Sequence, residues 1–207
     1  MNGNGLFITF EGIDGTGKTT QAAMLADRLH ADGYDSIKTR EPGGTAGAEK
    51  IRELLINVAE SKWSNEVEIL LLTAARHEHV EKKIVPALES GKIVVCDRYV
   101  DSTRVYQGHS DSGMRDCIDA LHERIIGKSP DLTFILDLPP RIALERIGKR
   151  GPADAYLDSY GDRIDSLRQG FLDLAREFPN RCIVVDASLP AKKIAELIRV
   201  EAMKRMQ

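Results

Sequence analysis

The segment LFITFEGIDGTGKTT at residues 6–20 constrains this chain more than any other, because an apolar run ends in a glycine-rich turn that opens an amphipathic helix. Within it, Gly12-Ile13-Asp14-Gly15-Thr16-Gly17-Lys18-Thr19 fits the pattern G-x-x-x-x-G-K-[ST]. The glycines let the backbone curl until several N–H groups converge on one anion. Lys18 adds a point charge for the β- and γ-phosphates of a nucleotide, and the Thr19 hydroxyl is a ligand for the Mg²⁺ that such a nucleotide carries. The helix that begins here turns its free amides and its dipole toward the same anion. Residues Gly12 to Thr20 are therefore read together as an ATP-phosphate site.

Apolar, β-rich runs recur at 6–10, 36–39, 92–96, 132–138 and 182–185, with helical patterns over 18–31, 46–58, 65–89, 115–126, 140–149, 158–176 and 191–206. Strands alternating with helices predict an α/β domain of P-loop NTPase type spanning 1–207, a five-stranded parallel sheet with helices on both faces. Only 148–161, rich in Gly, Asp and Tyr and flanked by Lys149, Arg150 and Arg163, departs from the alternation. It is expected to be either an ordinary loop or a short lid over the phosphates. With 29 basic and 32 acidic residues the chain carries a net charge of -3, which argues against a general nucleic-acid or membrane-surface binder. Cys96, Cys117 and Cys182 form no C-x-x-C pair, no apolar run is long enough to cross a bilayer, and no secretory leader precedes the first strand. A cytoplasmic protein is expected.

Ligands of doubly wound sheets bind at the carboxyl ends of the strands, so the residues after each strand are site candidates. The second strand delivers Arg40 and Glu41, the third Asp97, Arg98 and Tyr99, and the fourth Asp137. Asp97 closes the buried run IVVCD, where a second carboxylate can hold Mg²⁺ directly or through water. Arg40, Arg76, Arg98 and Arg104 exceed what nucleotide binding alone needs, and guanidinium forks suit a second phosphate. A phosphate monoester acceptor is already an anion and needs clamps rather than a general base. The pattern points to nucleoside monophosphate kinase chemistry, by positioning and charge stabilisation.

EGIDGTGKTT, TREPGGT at 39–45, AAR at 74–76, DRYVDSTRVYQG at 97–108 and PDLTFILDLPP at 130–140 occur in order, and together they resemble the thymidylate kinases. The resemblance runs from about residue 6 to 187. It implies transfer of phosphate from ATP to dTMP with Mg²⁺, giving dTDP and ADP, and a homodimer packed through long helices. It also implies roles. Asp14 meets the 3′-hydroxyl of dTMP, Arg98 clamps its phosphate, Arg76 hydrogen-bonds the thymine carbonyl and Gln107 reads the ring edge beside it. Tyr106 crowds the 2′ position, Ser102 lies in the same loop, and Glu41 helps order the arginines. A pocket that pairs buried polar groups in this way rejects analogues that leave them unpaired.

The chain departs from the family in three places. Leu72 stands where an aromatic residue usually stacks on thymine, replacing a flat π-face by an aliphatic one. Gly15 stands where the loop of some members carries an arginine, and Ala155 where lid-type members place one. Arg150 is then the leading source of catalytic charge, followed by Lys149, Arg146 and Arg163. Thirdly, HSDSG at 109–113 replaces a glycine- and arginine-rich continuation. A kinase of another acceptor such as dUMP, and an inactive ATP-binding module, stay open as alternatives. The sequence HEH at 77–79 lacks the i, i+4 spacing of a zinc site and reads as a solvated helix face. Trp63 reads as a packing residue.

Overall fold

Five parallel strands lie in the order β2-β3-β1-β4-β5: β1 Phe7–Glu11, β2 Ser36–Arg40, β3 Ile93–Asp97, β4 Leu132–Asp137 and β5 Cys182–Asp186. The structure is a computed structural model that describes residues 5–56, 63–148 and 163–206. β1, β3 and β4 are almost wholly buried, as expected of near-continuous apolar strands covered on both faces. The period of two sorts their side chains. Ile8, Phe10 and Val95 join one core with Leu25 and Leu29, Phe171 and Ile198, whereas Phe7, Val94 and Cys96 join another with Ile69, Ile84, Tyr99 and Ile118. β2 is an edge strand and carries exposed Lys38 and Arg40, charges that discourage edge-to-edge pairing.

The helices are α1 Lys18–Ala31, α2 Ala46–Ile56, α3 Asn65–His79, α4 Val85–Glu89, α5 Val100–Tyr106, α6 Ser112–Leu121, α7 Pro140–Gly148, α8 Ile164–Glu177 and α9 Ala191–Lys204. The continuous helix expected over 65–89 is interrupted by a π-helical turn at Val80–Ile84. Pro86 supplies the reason: its ring would strike the carbonyl four residues back in an α-helix, and the wider turn, with the Val85 amide on the Val80 carbonyl, avoids that contact. α5 lies where the sequence pattern gave no helix. Six of its seven residues are buried, so it shows no amphipathic period from which to be recognised. α6 begins three residues before the expected start, because the Asp111 carboxylate accepts from the amides of Gly113 and Met114.

Successive strands after β1 fall first on one side of it and then on the other, so its carboxyl end is the switch point of the sheet. Register brings the neighbouring ends level, with Phe10 opposite Asp97 and Arg40 opposite Asp97. α5 is pinned beside this point by charge. Its fully buried Asp101 accepts from Arg181 at 2.6 and 2.9 Å and from Arg104 at 2.9 Å, and Arg181 also reaches Thr133 at 2.9 Å. Arg104 continues to Asp119, which Arg115 links to Glu177 on α8. Asp101→Ala would deprive the buried Arg104 and the partly buried Arg181 of the carboxylate they share. We expect a loss of about 3–5 kcal/mol of stability, read as a lower urea midpoint at unchanged slope.

Candidate active site

The turn after β1 closes against two other segments, and glycine is required at both contacts. A Cβ on Gly12, at φ 133°, would lie 2.6 Å from the Leu136 carbonyl oxygen, and one on Gly15, at φ 80°, 2.5 Å from that of Ala143. Thr16 steadies the turn by donating to the Ile13 carbonyl at 2.9 Å, and Arg146 donates to the carbonyls of Gly15 and Ala187. Arg146 is thereby a strut under the loop. Gly17 adopts the left-handed conformation and hands the chain to α1, whose first residue, Lys18, is buried, while Thr19 and Thr20 are exposed. The Lys18 amine donates to the carbonyls of Gly12 and Ile13 at 2.9 and 2.8 Å and stands 3.7 Å from Asp14. Burial, with the nearby charge of Arg98, pulls its pKa down to about 8 against the opposing pull of Asp14, Asp97 and Glu11. The Thr19 hydroxyl donates to Asp97 Oδ2 at 2.5 Å. Asp97 Oδ1 is buried and has no hydrogen-bond partner among the described residues.

Arg98 follows β3 with φ 67°, the one non-glycine positive φ among the described residues, and a conformation that costs energy for a long side chain. It aims the guanidinium back over the glycine-rich turn. There it pairs with the Asp14 carboxylate, donates to Ser102 at 3.1 Å and lies 5.3 Å from the centre of the Tyr106 ring. Tyr106 donates to the other Asp14 oxygen at 3.3 Å. Burial works against the Asp14 charge, but Arg98 and Lys18 prevail and hold its pKa below the usual value. Beneath this group lies Glu11, fully buried at the end of β1, whose carboxyl accepts from the Tyr99 amide at 2.7 Å and from the Ser102 hydroxyl at 2.6 Å. Its burial, with Asp101 close by, pushes its pKa up to about 8.

Glu41 and Arg76 form a second buried pair at 2.8 Å, each side chain 4% exposed. Arg76 also donates to Thr103 at 2.9 Å and lies 5.2 Å from the centre of the Tyr99 ring. Gln107 is buried, its amide donating to Glu68 on α3 at 3.0 Å. Leu72, half-buried, projects from the same helix.

Of the four arginines grouped by sequence, the structure brings only Arg76 and Arg98 into these clusters. Arg40 is half-exposed on Glu49, and Arg104 belongs to the Asp101 network. Asp137 is held bidentately by Arg168 at 2.6 and 2.8 Å. The expectation of a solvated HEH face is corrected at His79, which is fully buried and joins Glu41 to Thr39; His77 is exposed as expected. Glu11, Glu68 and Arg52 were not singled out from the sequence. Arg52 donates to the Pro42 carbonyl at 2.9 Å and feels the charges of Arg40, Arg98 and Asp97. Its signal would have been an arginine placed one helical turn or two after REPGG. Lys149, Arg150, Ala155 and nearly all of the expected lid lie outside the described residues. Trp63 is partly exposed and donates to the Leu54 carbonyl.

A glycine-rich phosphate turn at the switch point of a 2-3-1-4-5 parallel sheet, with a carboxylate and a partly buried arginine at the next strand end, defines a P-loop nucleotide kinase. The sequence matches the thymidylate kinase family over residues 10–198. A thymidylate kinase of Ruegeria pomeroyi is 47% identical, with 94% of this chain and 93% of that one covered, and one of Caulobacter vibrioides is 47% identical over 98% of both. The crystal structure of thymidylate kinase from Ehrlichia chaffeensis superposes with a TM-score of 0.74 at 35% identity, covering 99% of this chain and all of the other. The chain belongs to the thymidylate kinase family.

The depressed Lys18 value has a measurable consequence. A bound triphosphate favours the charged amine, so below about pH 8 the lysine is protonated free and bound alike, while above it binding must take up a proton. ATP affinity should be level below pH 8 and fall up to about tenfold per pH unit above it. Calorimetry in buffers of different ionisation enthalpy should register proton uptake above pH 8, and Lys18→Met should remove it.

Proposed function

We propose that this chain transfers the γ-phosphoryl group of ATP to dTMP, yielding dTDP and ADP. The observation that carries the reading is the Asp14–Arg98 pair, which joins the phosphate turn to the end of β3. On this reading donor and acceptor groups share one site. Residues Gly12 to Thr20 hold the ATP phosphates, with backbone amides and Lys18 supplying positive charge. Arg98, steadied by Ser102, clamps the acceptor phosphate, Asp14 takes the 3′-hydroxyl, and Tyr106 crowds the 2′ position. Arg76 and Gln107 read the edge of the thymine ring while Leu72 covers its face, and Glu41 fixes Arg76. No side chain need remove a proton from an acceptor that is already an anion. Catalysis rests on alignment and on charge placed before the reaction begins.

Thr19 and Asp97 fit a Mg²⁺ carried in with ATP, since a hydroxyl and a carboxylate oxygen meet there and a second carboxylate oxygen is buried without a partner. Such an ion supplies charge neutralisation at the β- and γ-phosphates. We assign Arg150 the corresponding protein charge and 148–161 the role of lid. For assembly we propose a cytoplasmic homodimer formed through α2 and α3, where Leu54 is 53% and Leu70 58% exposed. No helix of the described residues is long and apolar enough to cross a membrane.

ADP release with ATP and Mg²⁺ should be strong with dTMP, weak with dUMP, UMP, CMP and AMP, and absent with thymidine or no acceptor. Turnover centred on another acceptor, or none across the panel, would overturn the reading. Arg98→Ala should lower kcat/KM for dTMP about 100-fold or more while the KM for ATP changes little. Equal loss toward both substrates would remove Arg98 from the acceptor side.

A further inference from the structure

His79 is fully buried, yet it lies among polar groups rather than in the apolar core. Its Nδ1 is 3.1 Å from Glu41 Oε1 and its Nε2 2.7 Å from Thr39 Oγ1. A carboxylate already paired with a guanidinium accepts, so Nδ1 carries the hydrogen and donates to Glu41. The other Glu41 oxygen takes the Arg76 Nε–H at 2.8 Å. Thr39, His79, Glu41 and Arg76 therefore form one chain of contacts, from the end of β2 to a guanidinium that also bonds Thr103 on α5. The imidazole supports the backbone as well: a Cβ on Gly44 would stand 2.5 Å from His79 Nε2 and 2.7 Å from Thr39 Oγ1. One turn further along, Lys83 donates to the Gly44 carbonyl at 3.1 Å.

We infer that His79 is a positioning residue for the acceptor base: through its Nδ1–H it orients the Glu41 carboxylate, which in turn holds Arg76 at the angle that reads dTMP. The inference rests on the assignment of Arg76 to the thymine ring. Without the imidazole donor, Glu41 keeps its bond to Arg76 but loses the contact that fixes the plane of its carboxylate, and the guanidinium turns with it. Both are enclosed, so no solvent molecule readily takes the place of the lost donor. The consequence falls on acceptor binding rather than on phosphoryl transfer, because among the described residues the hydrogen bonds of His79 run to Thr39 and Glu41 and not to Lys18, Arg98 or Asp97.

Two substitutions separate this role from simple packing. An asparagine amide nitrogen falls near the place of Nδ1, whereas a glutamine amide nitrogen falls near that of Nε2. His79→Asn should keep the donor to Glu41 and hold the KM for dTMP within about threefold of the parent. His79→Gln, closer to histidine in volume but without that donor, should raise it about tenfold, with the KM for ATP unchanged and kcat little affected. A role in packing alone predicts the opposite order, so a Gln variant equal to or better than Asn would overturn the proposal. Parallel rises in both KM values would do the same. In an Arg76→Ala background, His79→Gln should add nothing further, since the effect travels through Arg76. If Arg76→Ala raises the KM for dTMP and His79→Gln does not, only the His79 proposal fails. If Arg76→Ala leaves that KM unchanged, the base-reading assignment fails and takes this proposal with it. Should His79→Gln not fold, His79→Leu tests the same contact by removing the Nδ1 donor to Glu41. A raised KM for dTMP alone supports the proposal, and an unchanged one overturns it.

Discussion

A carboxyl group sealed beneath the phosphate turn, that of Glu11, ties the two halves of this crevice together. It sits at the last position of β1, accepts the Tyr99 amide and the Ser102 hydroxyl, and so fastens α5 to the strand that delivers the glycine-rich turn. Ser102 passes the constraint to Arg98, and Arg98 passes it back to Asp14 within the turn. The loop is closed: strand end, helix, arginine and phosphate turn each limit the others. The arrangement has a cost, visible in the Glu11 pKa pushed up to about 8 by burial, and in the left-handed backbone of Arg98. Both are tolerated because several hydrogen bonds over-determine the geometry.

Arginine serves three separate ends in this fold. Arg98 and Arg76 belong to the candidate site, each held by a carboxylate that fixes its direction. Arg104 and Arg181 converge on Asp101 and flank the Phe178 ring at 5.2 and 4.3 Å, so that a buried anion and an aromatic face lock α5 to the far side of the sheet. Arg146 and Arg168 brace the floor of the site through the Gly15 carbonyl and Asp137. The planar, permanently charged fork suits all three, since it makes two or three directed bonds without losing its charge. Breaking one such pair costs far more than the pair contributes beyond an apolar substitute, which makes these positions matters of geometry more than of net stability.

Much of the candidate site was legible because the proposed chemistry demands particular residues at particular spacings. Gly12, Gly15, Lys18 and Thr19 follow from the needs of a phosphate, and Asp97 and Arg98 from the ends of apolar strands. α5 was not legible, since a helix buried all round has no period to betray it. His79 was misread for a related reason. Alternation of exposed and buried positions can be inferred from apolar residues, but a polar side chain buried against polar partners leaves no such trace. Glu11 lay in plain sight within the motif, and only its environment distinguishes it from a solvated acid.

The sequence alone determined the phosphate turn, the alternation of strands and helices, and membership of a kinase family, because these depend on local backbone chemistry and on short-range spacing. The tertiary structure decided which arginines join the clusters around Asp14 and Glu41 and which brace the scaffold, which carboxyl is charged against burial, and that His79 faces inward. Those outcomes depend on what lies across the sheet, tens of residues away in the chain, and on the dielectric that packing creates around each charge.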